Sequence, residues 1–170
     1  AGGASAMRQH RPVNEEGKIL SVGTYLVEHL TNTCDDVGVE IIYNAKVDRI
    51  LVDEGKAVGL HATGTDGNSI TIKASSVVIA TGGFGSNPDM ITKYRPDLEG
   101  YVSTNAPTIT GDLIPVLEEI GADFVDLEQI QVHPTVVQKD GALISESLRG
   151  DGAILLNKYG KRFTDEMNTR

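Results

Sequence analysis

Between Gln131 and Asn157 the chain reads QVHPTVVQKDGALISESLRGDGAILLN. Four polar residues there could form a small site: His133, Ser145 and Arg149, which can hold an anion, and Glu146 beside them. Ser and His donate hydrogen bonds to a carboxylate, and Arg neutralises it through a planar fork of N–H groups. Pro134 biases His133 toward an extended backbone. Ser145, Glu146 and Arg149 fall within about one helical turn. Two readings stand at this point. In the first, the group is a small anion site. In the second, it is a solvated hairpin, with His133 a satisfied structural side chain and Glu146–Arg149 a surface ion pair contributing about 0–1 kcal/mol. Spacing alone does not choose.

A second stretch, VVIATGGFG from Val77 to Gly85, has the makings of a ligand turn. It predicts a short buried strand, Val77–Ala80, running into Thr81-Gly82-Gly83. Glycines without a Cβ let a ligand approach the backbone, and the carboxyl ends of strands in α/β sheets are where dinucleotides sit. The plain alternative is a strand and turn with no ligand. The G-x-G-x-x-G fingerprint is absent from the whole chain. Val47, in NAKVDRI, has the extended setting to present its backbone to an adenine ring, although an ordinary strand residue reads the same way. The end of the chain, GKRFTDEMNTR, carries Arg170 and on its residues alone reads as a solvated tail. No zinc-ligand spacing, no G-x-S-x-G elbow and no Walker loop is present. No metal site is expected.

The elements that must position these residues follow from periodicity and punctuation. ILSVGTYLVEHLTNTCDD has helical apolar spacing, with Ser21 as its N-cap. VEIIYNAKVDRILVD predicts two strand segments around Asn44. AVGLHATGTDGNSITIKA predicts a hairpin about a two-residue Asp66-Gly67 turn. SNPDMITKY predicts a short helix with Asn87 at the N-cap and Pro88 at its first position. GDLIPVLEEIGA predicts another, opened near Asp112 and closed at Gly121. From Phe124 onward the pattern is short strands and turns.

Composition narrows the function classes. The chain has 170 residues, a formal net charge of -9 and one cysteine, Cys34. The acidic balance argues against a nucleic-acid or anionic-membrane partner. One cysteine excludes an internal disulfide. No apolar run reaches the roughly 18–20 residues needed to span a bilayer, so no membrane contact is expected from this segment. No signal peptide pattern is present, and the compartment is left open. The first residue is not Met and nothing caps Arg170; the chain is expected to be an internal segment of a longer protein. A sheet cut out in this way is expected to expose an edge that can pair with a second copy.

GGASAMRQHRP, VVIATGGFGSN, STNAPTITGD, IQVHPT, SESLRGDGAILLN and GKRFTDE occur in this order. Together they resemble the flavoprotein subunit of bacterial soluble fumarate reductases, the flavocytochrome c type, within the succinate dehydrogenase and fumarate reductase superfamily. The likeness covers almost the whole chain and is thinnest over Leu51–Lys73. It implies an α/β fold, α+β in the cap: residues 1–92 as the middle of an FAD-binding domain with a small appended sheet, and residues 93–170 as the first part of a capping domain. The family's dinucleotide fingerprint and its later substrate-binding His and Arg are not among these residues.

The resemblance also implies roles. His133, Ser145 and Glu146 match residues that bind the substrate carboxylate, with Ser145 where the family usually has Thr. Arg170 matches the catalytic proton donor. Glu146 and Arg149 match the relay that returns its proton. Val47, Ala80, Thr81, Gly82, Gly83 and Asp112 match FAD contacts, although Leu113 stands where the family often has Gly after the Asp. No role is implied for Arg8 to Pro12. The expected reaction is reduction of fumarate to succinate, with a hydride from reduced FAD and a proton from Arg170, for which positive charge alone is the rival role. The electron donor is not implied. Two alternatives stay open: a folded module that holds FAD weakly or not at all and does not turn over, and a flavin-dependent reductase of another unsaturated acid or a ketosteroid.

Overall fold

The computed structural model describes residues 11–166 and 168. They form two compact units: one holds the described residues of Ala1–Tyr43 and Ser145–Thr169, the other Asn44–Ile144.

The second unit is built on a three-stranded antiparallel sheet in the order β1-β2-β3, with β1 Ala45–Asp53, β2 Lys56–Gly64 and β3 Ser69–Lys73. β1 and β2 are joined through Glu54-Gly55, with φ of 46° and 78°. Positive φ at both central residues is the turn whose twist matches the flanking strands. β2 and β3 form the expected hairpin, but its loop is not a two-residue turn. Gly64 N–H donates to Asn68 O at 2.9 Å and Gly67 N–H to Gly64 O at 2.9 Å, leaving Thr65, Asp66 and Gly67 between the paired residues. Gly67 takes φ 81°, which closes a three-residue loop of the bulged type. Asp66 still sets the turn: its carboxylate accepts from Asn68 N–H at 3.0 Å.

Asn44 begins only one strand, not a junction between two. Its φ of 56° breaks the extended run, and residues 39–43 form no strand. The sheet buries Ile50 and Ala62 on one face. The opposite face carries a polar network, set up by a register shift between Val47 and Arg49. Such a bulge re-aims a side chain. Asp48 accepts from Thr63 Oγ1 at 2.7 Å and lies 2.6 Å from His61 Nδ1, while His61 Nε2 lies 2.7 Å from Ser69 Oγ. This ties all three strands together across the solvent side.

Two helices complete this unit's frame. In α2, Pro88–Tyr94, the cap is as expected: Asn87 Oδ1 accepts from Met90 N–H at 3.1 Å, and Pro88 opens the helix. A 3₁₀ turn, Pro96–Leu98, follows and buries Leu98. α3, Leu113–Glu119, buries Leu113 and closes at Gly121 with φ 80°.

The buried strand expected at Val77–Ala80 is not there. No strand pairs with these residues, and Val78 is 88% exposed. A strand is stabilised by ladder partners and by burial, and among the described residues this segment has neither.

In the first unit, α1, Val22–Asp36, forms where the apolar spacing placed it. Ser21 has an extended N-cap backbone but makes no side-chain capping bond. The apolar side of α1 is open among the described residues, with Leu26, Val27 and Leu30 at least half exposed. α4, Glu146–Gly150, is a single turn that the strand-and-turn expectation for this region did not contain. No helix of the described residues is long and apolar enough to cross a membrane.

Candidate functional site

The cofactor candidates all lie in the second unit. Val47 sits in β1 opposite Ala62, at the register shift. Beside it is an open cavity of about 520 Å³ lined by Asn44, Ala45, Lys46, Thr63, Gly64 and Thr65. Lys46 Nζ donates to Asp112 Oδ2 at 2.7 Å, and Thr110 Oγ1 donates to Asp112 Oδ1 at 2.7 Å. The Lys46 and Thr110 hydrogen bonds hold the Asp112 carboxyl below its usual range; the same bond raises Lys46. Both partners are well exposed, so the pair fixes orientation more than stability.

Ala80, Thr81, Gly82 and Gly83 form an exposed irregular stretch, and the turn follows at Gly85-Ser86. Gly82 takes φ 75°, and a Cβ there would reach only Ile109 Cδ1 at 3.9 Å. A Cβ on Gly83 would meet nothing within 4 Å. The missing side chains are therefore not explained by packing within the described residues. A backbone left bare on an open side fits a ligand that lies against it. These residues fit a dinucleotide cofactor.

His133 also belongs to the second unit, at the wall of a cavity of about 530 Å³ whose other residues include Tyr101, Ser103, Asn105, Gln131 and Leu143. Its Nδ1 lies 3.1 Å from Thr135 O and 3.3 Å from Thr135 N. Thr135 is buried and fixed in turn, with Oγ1 donating to Ile144 O at 2.9 Å. A short two-arm ribbon, bridged at Val136 and Leu143, holds this arrangement. The ring is therefore anchored through Nδ1.

Ser145, Glu146 and Arg149 come together on α4 in the first unit. Ser145 is the N-cap: its Oγ accepts from Ser147 N–H at 3.2 Å and donates to Ser147 Oγ at 3.0 Å. Glu146, 62% exposed at its side chain, places Oε1 3.7 Å from Arg149 Nη2. Arg149 is not the solvated partner of a surface pair, because only 9% of its side chain is exposed. Nη1 donates to Glu166 O at 3.0 Å, while Nε and Nη2 are buried without a hydrogen-bond partner among the described residues. A buried guanidinium with unused donors is costly unless an anion completes it. Arg170, the fifth of the expected substrate and catalytic residues, lies outside the described residues, as does most of Arg8 to Pro12.

Two groups were not nominated from the sequence. The Asp48–His61–Ser69 network is one; alternation along β1 and β2 places its members on one face, but the bulge that aims Asp48 leaves no mark in the sequence. Thr63 and His61 hydrogen bonds lower the Asp48 carboxyl. Glu166 is the other. Its carboxylate accepts from Leu155 N–H at 2.6 Å and from Arg162 Nε at 3.0 Å and Nη2 at 2.6 Å. Arg162 and the Leu155 amide bring its pKa down to about 2. The Arg-x-x-x-Glu spacing was a usable signal, masked by reading the segment as a tail.

Comparison with known proteins gives a consistent set. Residues 1–170 match the FAD binding domain family. A protein from Klebsiella pneumoniae (strain 342) named NADH:fumarate oxidoreductase is 44% identical over 169 residues, covering 99% of this chain and 18% of its own length. A fumarate reductase (cytochrome) from Shewanella frigidimarina is 38% identical over 170 residues, covering 99% of this chain and 29% of its own. The open conformation of a flavocytochrome c3 fumarate reductase superposes with a TM-score of 0.78 at 39% identity, covering 96% of this chain and 28% of that one. The chain thus spans less than a third of the length of these relatives.

Proposed function

Because the chain belongs to the FAD-binding domain family over residues 1–170, we propose that it serves a longer flavoprotein that reduces fumarate to succinate. The observation that carries this reading is Arg149: a buried guanidinium, two of whose nitrogens make no hydrogen bond among the described residues, ion-paired one turn from Glu146, at positions that by resemblance match the family's proton relay.

Val47, the Ala80–Gly83 stretch and Asp112 are the residues that would hold FAD, the first two through bare or extended backbone. When bound, FAD supplies the hydride taken up by one alkene carbon. The other carbon needs a proton, and the chain's own residues supply it. His133 binds a substrate carboxylate through Nε2. That nitrogen carries the proton in the tautomer whose Nδ1 accepts from Thr135 N–H at 3.3 Å; the other tautomer donates Nδ1–H to Thr135 O at 3.1 Å and leaves Nε2 an acceptor, so carboxylate binding requires the first. Ser145 adds a hydroxyl donor once it turns from Ser147 Oγ. In the full-length protein, together with the family's later substrate-binding His and Arg, such contacts would orient the alkene, an effect worth several kcal/mol.

Arg170 donates the proton. A free guanidinium loses its proton only above about pH 12, so its loss must be coupled to resupply. Glu146 is the carrier, and Arg149 passes the replacement proton inward from a position already excluded from water.

The test is made in the full-length protein with fumarate as substrate. Arg170→Lys keeps the charge but loses the fork, and is expected to lower kcat by orders of magnitude with little change in KM. Glu146→Gln is expected to behave likewise. His133→Ala is expected to raise KM with a smaller loss of kcat. A rise in KM alone for Arg170→Lys would make Arg170 a binding residue and overturn the relay. Parental turnover in all three variants would remove the site.

A further inference from the structure

Two charged side chains are the only ones buried in the first unit among the described residues: Arg149 at 9% exposure and Glu166 at 5%. A unit that buries no apolar side chain but hides a cation and an anion has placed them for a reason other than packing, since buried charges cost free energy unless closely satisfied.

The two are satisfied very unequally. Glu166 is well satisfied: both oxygens are used, Oε1 by Leu155 N–H and Oε2 by the two-pronged Arg162 fork. This makes its backbone position rigid, because the side chain is tied to the 155 strand arm and to the 162 arm at once. Those arms are themselves joined, with Asn157 N–H donating to Lys161 O at 2.9 Å and a bridge between Leu156 and Arg162. The Arg149 side chain has one hydrogen bond among the described residues, from Nη1 to the carbonyl of this same Glu166. The fixed point against which the Arg149 guanidinium is set is therefore a carbonyl whose own place is set by a carboxylate.

We infer that Glu166 is a positioning residue for Arg149, acting through its backbone carbonyl while its buried carboxylate, clamped by Leu155 and Arg162, holds that carbonyl in place. The inference rests on the reading of Arg149 as part of the proton path. Glu166 does not touch substrate or cofactor. It decides where the Arg149 nitrogens point, and so whether Nη2 stays near Glu146. A carboxylate serves here because it accepts both the amide and the charged fork; an amide has only one oxygen and presents an NH₂ to Arg162.

The experiment uses the full-length protein, with fumarate as substrate and flavin content read from absorbance. Glu166→Gln is expected to keep its flavin and its KM for fumarate while kcat falls on the order of a hundred-fold, the scale of a misplacement of about 1 Å. Arg149→Lys is expected to be slow as well. The double variant is expected to be no slower than Arg149→Lys alone, since two residues acting as one unit are not additive. A purely structural carboxylate gives a different pattern: lost flavin or lowered unfolding temperature, with kcat per flavin unchanged. If Glu166→Gln does not fold, Arg162→Gln takes its place; its side chain is 54% exposed, and it removes only the fork. The same fall in kcat and the same non-additivity are expected there. Parental kcat per flavin in the variant measured, or additive losses in the double variant, would overturn the inference while leaving the function intact. Parental kcat in Arg149→Lys would overturn the relay itself, and this inference with it.

Discussion

Gly83→Ala separates cofactor contact from protein stability more cleanly than any other change in the stretch after Ala80. An added Cβ meets nothing within 4 Å, and the Gly83 backbone lies outside the left-handed region. The unfolded chain loses freedom and the folded one gains no clash, so the flavin-free protein should be stabilised by about 0.4–1 kcal/mol. If FAD lies against this backbone, the methyl group occupies its space. Overpacking of that kind costs about 1–3 kcal/mol. At about 1.4 kcal/mol per tenfold, FAD affinity should fall roughly five- to 150-fold. Gly82→Ala is the control. Its φ of 75° makes a Cβ costly, about 1–2 kcal/mol, so the flavin-free protein should be destabilised whether or not a cofactor lies nearby. The assay is denaturant unfolding of flavin-free full-length protein, paired with an FAD titration followed by quenching of flavin fluorescence. The expected signature for Gly83→Ala is stability up and affinity down. Unchanged FAD affinity in Gly83→Ala would refute the contact, because nothing else in the structure opposes the substitution.

Acid should expose the Glu166 clamp. Its carboxyl is held at about 2 against an ordinary 4.5, so its stabilisation is fully present above pH 4.5 and is lost as pH falls toward 2. The stability difference between the parent protein and Glu166→Gln should therefore be largest above about pH 5 and close by about pH 2, followed by chemical denaturation at stepped pH; parallel curves would sink the assignment. Gly59→Ala should destabilise the small sheet by about 2–3 kcal/mol, because at φ 152° an added Cβ lands on the carbonyl oxygen of Ile72 in β3; unfolding curves equal to the parent's would show that the strands separate without cost.

The elements that formed where the sequence placed them are those whose signals are local. α2 needed only Asn87 before Pro88, and α3 ends at Gly121, signals that act within a few residues; Asp112 stands at the start of α3 but makes no capping bond, its carboxylate being held by Lys46 and Thr110. The β2–β3 hairpin was legible from Asp66-Gly67, but its loop length was not. Whether two or three residues turn the chain depends on where the ladder between Gly64 and Asn68 ends, and that is a cross-strand property. The Val77–Ala80 strand failed for a related reason. Four apolar residues in a row state a preference for burial, yet a strand exists only when a neighbour supplies its hydrogen bonds. α4 was missed because a single turn has no periodicity to show; only its cap, Ser145, and the Ser145-Glu146 pair mark it.

The site divides along the same line. His133, Glu146 and Arg149 announce themselves by residue type, and a resemblance gives them roles. What the residues alone did not separate was a solvated ion pair from a buried one, because burial is decided by what covers the side chain. Arg149 is covered by a segment that returns from seventeen residues further on, through the bond to Glu166 O. Glu166 itself looked like one of two adjacent acids in a charged tail. Its position is set by a ribbon between Leu155 and Arg162, whose turn at Asn157–Gly160 brings two donors to one carboxylate. Residues that touch a ligand are constrained in type and so can be guessed. Residues that aim them are constrained by geometry, and an acid that aims an arginine through its own backbone carbonyl is chosen for what its side chain anchors rather than for what it binds. That is why the residues of the proposed relay could be named from the sequence through a resemblance, whereas the proposed role of Glu166 comes only from the fold.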